Sequence, residues 1–344
     1  MTIQDLMRQA GGENGNMTVF KSIVKTHHVL STHNQIVVSI SGGADSDIIL
    51  DLIYKVNSIL HKDVKYVWFD TGLEYEATKE HLKYLENKYQ IEIIREKAIK
   101  PIPTTCKEYG QPFISKMVSG TIYGLQKNGF KWEDRPYEEL IKEYPKVKSY
   151  VAWWCNHRDT KDFGYSIYNI NYNKYLKEFM MANPPTFLIG NRCCKYAKKD
   201  VSKHILKKYP CDLLVMGIRK SEGGVRSVTY KTCFSDNGLS CDTFRPIFWY
   251  KDEDKKFYTD RFEIIHSDCY TKYGMRRTGC AGCPYNRQLS ENLEVLQNYE
   301  PKLYRAVNAI FGDSYAYTQQ YREFCKKMRD EQENKQLRLF DLPE

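Results

Sequence analysis

Ile36-Val37-Val38-Ser39-Ile40-Ser41-Gly42-Gly43-Ala44-Asp45-Ser46 is the stretch that decides how this chain folds. A hydrophobic strand runs into a Ser-Gly-Gly-x-Asp-Ser turn. Beyond it Ile48, Ile49, Leu52, Ile53 and Val56 recur at spacings of three and four, the pattern of one buried helical face. Two glycines let the backbone take positive φ and approach a ligand with no side chain in the way. Ser41 and Ser46 add hydroxyls, and the first N–H groups of a helix carry the partial positive charge that favours phosphate. The stretch reads as a phosphate-binding strand-to-helix junction, with Ser39, Ser41, Gly42, Gly43, Asp45 and Ser46 as its binding residues.

Working outward, strands and helices alternate. Phe20, Ile23, Val24, Val29 and Leu30 read as a helix leading into the first strand, Asp63 to Asp70 as a second strand, Tyr75 to Tyr89 as the next helix and Ile91 to Ile94 as a third strand. Leu213 to Gly217 reads as a late core strand that returns the chain to the sheet. This alternation implies an α/β fold: a mostly parallel sheet with helices on both faces, holding its ligand at the carboxyl ends of the strands. From Pro101 to about Asn183 the chain carries Trp132, Trp153, Trp154 and many tyrosines and reads as a mainly helical insertion. From about Cys233 it turns rich in Cys, Tyr and Asp, and a helical tail runs from about Leu289 to Leu339. The expected division is a nucleotide-binding domain at 1–232 and a Cys-rich, helical region at 233–344.

The 344 residues are 42% hydrophobic and 28% charged, the composition of a soluble globular protein. No apolar run is long enough to span a membrane, and Met1-Thr2-Ile3-Gln4-Asp5 lacks the basic and apolar regions of a secretory signal, so a cytoplasmic protein is expected. Fifty-two basic against 43 acidic side chains leave a formal charge of +9, in the direction of a polyanionic partner. Eleven cysteines in such a chain point to reduced thiols, metal or cluster ligation, or redox chemistry, and away from a disulfide framework.

Two further segments open at the ligand edge. Asp70-Thr71-Gly72 follows the second strand, where Thr71 offers a donor to a nucleotide and Asp or Thr would equally serve as a helix cap. Gly217-Ile218-Arg219-Lys220-Ser221-Glu222-Gly223-Gly224-Val225-Arg226 follows the late strand, and the guanidinium forks of Arg219 and Arg226 suit oxyanions. Asp45 is the acidic residue best placed to hold Mg²⁺ against ATP phosphates, or else to orient the loop.

Neither G-x-x-x-x-G-K-[ST] nor a G-x-G-x-x-G after a strand occurs. The loop resembles instead the PP-loop of the ATP pyrophosphatases. Asp70-Thr71-Gly72 and the Gly-x-Arg-x-x-Glu-x-x-x-Arg stretch resemble segments of the phosphoadenosine phosphosulfate reductase-like family of that superfamily. The resemblance implies an adenine nucleotide gripped at its pyrophosphate end.

Cys193 and Cys194 are adjacent, and after an interval of 85 residues comes Cys280-Ala281-Gly282-Cys283-Pro284. Four thiolates of this kind suit zinc or an iron–sulfur cluster. The spacing resembles the [4Fe–4S] ligand pattern of assimilatory adenosine phosphosulfate reductases, with zinc as the alternative and Cys241 as an alternative ligand. Cys106, Cys155, Cys211 and Cys325 carry no ligand spacing, and a small buried apolar role is the default for each.

Sulfonucleotide reductases need a catalytic cysteine in a Glu-Cys-Gly-x-His segment, which this sequence does not contain; its last cysteine is Cys325, at helical spacing. An intact loop beside cluster-type cysteines resembles the ATP pyrophosphatases of sulfur incorporation, such as the DNA phosphorothioation subunit and cluster-dependent tRNA thiolases. The expected function is adenylation of an acceptor with release of pyrophosphate, in which Asp45, Ser46, Arg219 and Arg226 act at the reacting phosphates and Gly217 lines the site. Sulfur transfer to a nucleic acid or nucleotide from a sulfur-donor protein would follow. A sulfonucleotide reductase and a nucleotide-sensing protein without turnover are the alternatives. Lys195, Lys199, Lys203 and Lys207 form a basic stripe opposite Ala197, Val201 and Ile205, read either as a solvated face or as a nucleic-acid contact.

Overall fold

The computed structural model describes residues 2–158, 166, 168–223, 229–238 and 240–340. The chain divides into two compact units, one of residues 1–101 and 196–281, the other of 102–195 and 282–344. This differs from the expected 1–232 and 233–344. The helical insertion reaches Lys195 and is joined by the carboxyl-terminal helices, while 233–281 stays with the sheet.

The first unit is the α/β body. Strands β1 (Gln35–Ile40), β2 (Asp63–Asp70), β3 (Ile93–Lys97), β4 (Leu213–Val215), β5 (Phe234–Ser235) and β6 (Asp242–Phe244) form one sheet in the order β3-β2-β1-β4-β6-β5. All pairings are parallel except β5 with β6. Ile36, Val37, Val38 and Ile40 are all buried, as a central parallel strand covered on both faces requires. Helices α1 (Ile3–Gly11), α2 (Met17–Ser31), α3 (Ala44–Leu60) and α4 (Glu76–Tyr89) belong to this unit. On one side Val38 and Ile40 share a core with Ile48, Ile49 and Ile53; on the other Val37 and Val67 pack with Val201 and Ile205 of the helix Asp200–Lys208. The order reverses between β1 and β4, so the crevice outside their carboxyl ends is the switch point where ligands bind in open α/β sheets.

Helix α3 departs from a one-faced pattern. Its first half is buried all round, including Asp47 and Asp51. Asp51 accepts from Tyr89 Oη at 2.9 Å, Tyr258 Oη at 2.8 Å and Lys55 Nζ at 2.7 Å, so its charge is fully engaged. Each buried Ile or Leu of α3 contributes roughly 1.5–3 kcal/mol of transfer free energy, which binds the loop at its head to the sheet.

The second unit is helical, as expected for the insertion: α5 (Ile102–Tyr109), α6 (Lys116–Lys127), α7 (Tyr137–Glu143), α8 (Lys148–Trp154) and α9 (Leu176–Ala182), with the helices Leu289–Tyr299 and Pro301–Phe340. Phe113, Phe130, Trp132, Trp153, Trp154 and Phe179 share its core with Tyr317. The expected single tail is broken at Glu300, where Pro301, lacking an N–H, opens the last helix. Among the described residues no helix is long and apolar enough to cross a membrane.

Candidate functional site

The loop folds as its residues dictate. Gly42 stands at φ +66°, and a Cβ there would lie 2.7 Å from Thr78 Cγ2, so the position excludes a side chain twice over. Ser46 Oγ accepts the Ser41 N–H at 3.2 Å, closing the turn, and the N–H groups of Ser46 and Asp47 bond Gly43 O at 2.8 and 3.1 Å. Ser46 is buried and Ser41 exposed, while Ser39 is half-buried within β1 opposite Val67. Behind the loop, a Cβ on Gly217 would meet Ile49 Cδ1 at 3.3 Å and stand 4.0 Å from Ser46 N.

Above Gly43 sit two hydroxyls that sequence reasoning missed. Tyr270 Oη and Thr278 Oγ1 are 2.9 Å apart, and each lies 3.1 Å from where a Gly43 Cβ would be. Burial pushes the Tyr270 hydroxyl up from its ordinary range, so it stays protonated while it accepts the Thr278 backbone N–H at 3.3 Å.

Asp45 is committed to cations. Its Oδ2 accepts from Arg219 Nε at 2.9 Å and its Oδ1 is 2.5 Å from Lys255 Nζ. Burial opposes the charge, yet Lys255 and then Arg219 outweigh it and hold the carboxyl below its usual range. Arg219 is itself fixed by Ser221 Oγ at 3.0 Å and Asp252 Oδ1 at 2.9 Å. As it stands Asp45 does not fit Mg²⁺, because both oxygens already face cationic groups. Lys255 escaped notice because it lies in the charge run 251–256 of a helix that reads as solvated. Arg226, Gly224 and Val225 fall outside the described residues.

Asp70, Thr71 and Gly72 gather at the carboxyl end of β2. Asp70 accepts the Gly72 N–H at 2.9 Å and the Arg95 guanidinium through Nε at 2.8 Å. Thr71 is buried and donates to Glu74 Oε1 at 2.5 Å. It caps no helix: α4 begins at Glu76 with Tyr75 before it. Its hydroxyl is also 3.7 Å from Cys280 Sγ, and Ala281 N–H bonds Leu73 O at 2.9 Å. Residues 278–281 therefore lie along this edge, from Gly43 to the Asp-Thr-Gly turn.

The boundary between the units falls inside the C-x-x-C, leaving Cys280 in the first and Cys283 in the second. In the second unit Cys193 is buried and hydrogen-bonded to Cys106 and Cys194; the bond to Cys106, with burial, pushes its thiol well above the usual range against the opposing effect of Cys194. Cys283 is near enough for its charge to act on Cys193. Cys106, read from the sequence as an ordinary apolar cysteine, is thus part of the thiol group. Gly282 takes φ +60°, and a Cβ there would strike Tyr315 Oη and Val307, which explains a glycine inside the motif. Cys241 is elsewhere: its sulfur lies 2.7 Å from that of Cys211, before the amino ends of β6 and β4. Among the described residues no group of three or more His, Cys, Asp or Glu side chains within either unit is close enough together to hold a metal ion.

A buried cluster of one aspartate and two histidines stands under the loop and was also missed. Asp47, in the first turn of α3, meets His81 Nε2 at 3.0 Å and His266 Nδ1 at 2.8 Å. The partners come from positions 34 and 219 residues further along the chain, so no local signal reveals them.

Residues 35–117 match the family model of the phosphoadenosine phosphosulfate reductase domain. A curated relative, Uncharacterized protein MJ0066 of Methanocaldococcus jannaschii, is 31% identical over 149 residues, which are 43% of this chain and 28% of that protein. The aligned region thus spans little more than a quarter of that relative's length. Among solved structures, phosphoadenylyl-sulfate (PAPS) reductase from Candida auris, in a phosphate complex, is 10% identical with a TM-score of 0.41, over 81% of this chain and 96% of that one. The U34-tRNA thiolase NcsA from Methanococcus maripaludis, with its [4Fe-4S] cluster, is 12% identical with a TM-score of 0.39, over 93% and 84%. NH3-dependent NAD synthetase from Campylobacter jejuni is 12% identical with a TM-score of 0.34, over 92% and 96%. Likenesses so slight carry no argument about chemistry. The match to the phosphoadenosine phosphosulfate reductase domain thus covers residues 35–117, with the Ser-Gly-Gly-x-Asp-Ser loop near their head.

Proposed function

We propose that the chain binds ATP at the Ser41–Ser46 loop and adenylates an acceptor with release of pyrophosphate. An acceptor oxygen attacks the α-phosphorus, the bond to the β-phosphate oxygen breaks, and pyrophosphate leaves with that electron pair. The N–H groups at the head of α3 and the Arg219 and Lys255 cations face the charge that develops on the leaving group. Asp45 keeps those two cations in place until phosphate draws them off. The observation that carries this reading is the loop itself: Gly42 at φ +66°, closed by Ser46 on Ser41, at the switch point of the sheet.

Cys193, Cys194, Cys280 and Cys283 are the residues assigned to a [4Fe–4S] cluster, with zinc as the alternative; an all-sulfur donor set suits either and not a hard cation. When bound, the cluster would supply the sulfur chemistry that turns an adenylated acceptor into a thiolated one. The chain's own part is to present Cys280 beside Thr71, at the edge where the nucleotide binds. A nucleic acid or nucleotide as acceptor, and a sulfur-donor protein, complete the proposal, and the +9 charge favours a polyanion.

The test is pyrophosphate release from ATP by purified protein offered RNA or DNA, with Ser46→Ala as control. Acceptor-dependent release that the variant loses is the expected result. A sulfonucleotide reductase is the second reading, favoured by the family match over 35–117. Sulfite release from adenosine phosphosulfate or its 3′-phosphorylated form with thioredoxin, and no pyrophosphate from ATP, would replace the first reading by the second. Nucleotide binding with neither product would make the protein a sensor.

A further inference from the structure

Cys211 and Cys241 take no part in the site described above, yet their sulfurs are 2.7 Å apart. Each stands just before a strand: Cys211 leads into β4 and Cys241 into β6, which run side by side with Leu213 opposite Asp242. The backbone on both sides is pinned. Asp242 N–H bonds Asp212 O at 2.9 Å, and the Asp212 carboxylate accepts the N–H groups of Asn34 and Gln35 at 2.8 and 3.0 Å, at the start of β1. Both cysteines are half-buried, so a small solute can reach them.

We propose that Cys211 and Cys241 form a redox pair that a peroxide closes to a disulfide, stapling β4 to β6. The Cys211 thiolate attacks a peroxide oxygen and becomes a sulfenic acid, while the O–O bond breaks and the departing hydroxide takes up the proton that the Cys211 thiol released to solvent and leaves as water. The Cys241 thiol then attacks the sulfenic sulfur; an S–S bond forms, and the sulfenic hydroxyl leaves as water with the Cys241 proton. Two electrons pass from the thiols to the peroxide, and a small dithiol reverses the change. The order of attack follows from the hydrogen bond between the two, which lowers the Cys211 thiol and raises that of Cys241. The bond closes the loop 212–240, which carries Arg219 and Ser221, and so restricts the unfolded chain most where the oxyanion segment is strung.

The experiment treats the intact, reduced protein with hydrogen peroxide, blocks remaining thiols under denaturing conditions and maps peptides by mass spectrometry, with thermal unfolding in parallel. The expected result is a Cys211–Cys241 cross-linked peptide that dithiothreitol removes, and an unfolding midpoint raised by about 5 °C. Cys211→Ser and Cys241→Ser should each lose both effects. Over-oxidation of Cys211 with no cross-link, or cross-linking of either cysteine to a different thiol, would overturn the pairing. A cross-link with an unchanged midpoint would overturn the staple.

Discussion

At the scale of single residues, Gly42 and Asp45 carry the loop for different reasons. Gly42→Ala must place a Cβ at φ +66° and 2.7 Å from Thr78 Cγ2. The expected loss is about 1–2 kcal/mol of unfolding free energy, read by urea denaturation, together with loss of ATP binding by calorimetry; unchanged stability would show that the turn can refold around a methyl group. Asp45 acts through charge. Its carboxyl is held below the ordinary value of 3.8 by Lys255 and Arg219 against the opposing effect of burial. A depressed carboxyl contributes stability that is fully present above 3.8 and is lost as pH falls through the lower, folded value. The stability difference between wild type and Asp45→Asn should therefore be constant from about pH 5 to 8 and shrink below about pH 4. A difference that persists into acid would mean that shape rather than charge is what Asp45 supplies.

Between elements, the segment from Tyr270 to Ala281 matters more than its sequence suggests. It lays a hydroxyl on the head of α3, a second hydroxyl beside it, and a cysteine against Thr71 at the end of β2. A phosphate held over Gly43 must displace Tyr270 Oη, which lies 3.1 Å from where a Gly43 Cβ would be. Tyr270→Phe removes the competitor and keeps the ring, so ATP should bind about 2- to 10-fold more tightly, the worth of one ordinary hydrogen bond; weaker binding would instead make the hydroxyl a ligand of the nucleotide. This arrangement also marks what the sequence can and cannot express. Periodicity located β1, β2, α2, α3 and α4 because each buries a regular apolar pattern within one local run. It placed the third strand two residues early, since Ile91 and Glu92 precede the pairing of Ile93 with Tyr66. The Ser-Gly-Gly turn was legible because backbone conformation is written in glycine. Lys255, Tyr270, Thr278 and His266 were not, because their roles arise only when distant segments meet, and Lys255 sits in a helix whose charges look solvated.

Over the whole molecule, the chain leaves the sheet at Pro101 and returns at Tyr196, so a helical unit is inserted between β3 and β4 and is completed by residues from 282 onward. The return passes through Lys195–Lys199 and the helix Asp200–Lys208, whose inner face buries Ala197, Val201 and Ile205 while Lys199, Lys203 and Lys207 remain exposed. The amphipathic reading of this stretch is therefore right about its inner face, and its outer face carries three exposed lysines. Three lysines spaced by four place their charges along one line, and each phosphate neutralised by such a cation releases counterions. Reversing all three to Glu should leave unfolding unchanged, because none of them is buried, and should weaken binding of a single-stranded RNA. The slope of log affinity against log salt should fall in magnitude by about 2. The charge change alone would weaken any polyanion at low salt, so affinity at one salt concentration decides nothing. The slope decides, since it counts the phosphates contacted, and an unchanged slope would make the stripe a solvated face and move the search for the acceptor's path elsewhere on the protein.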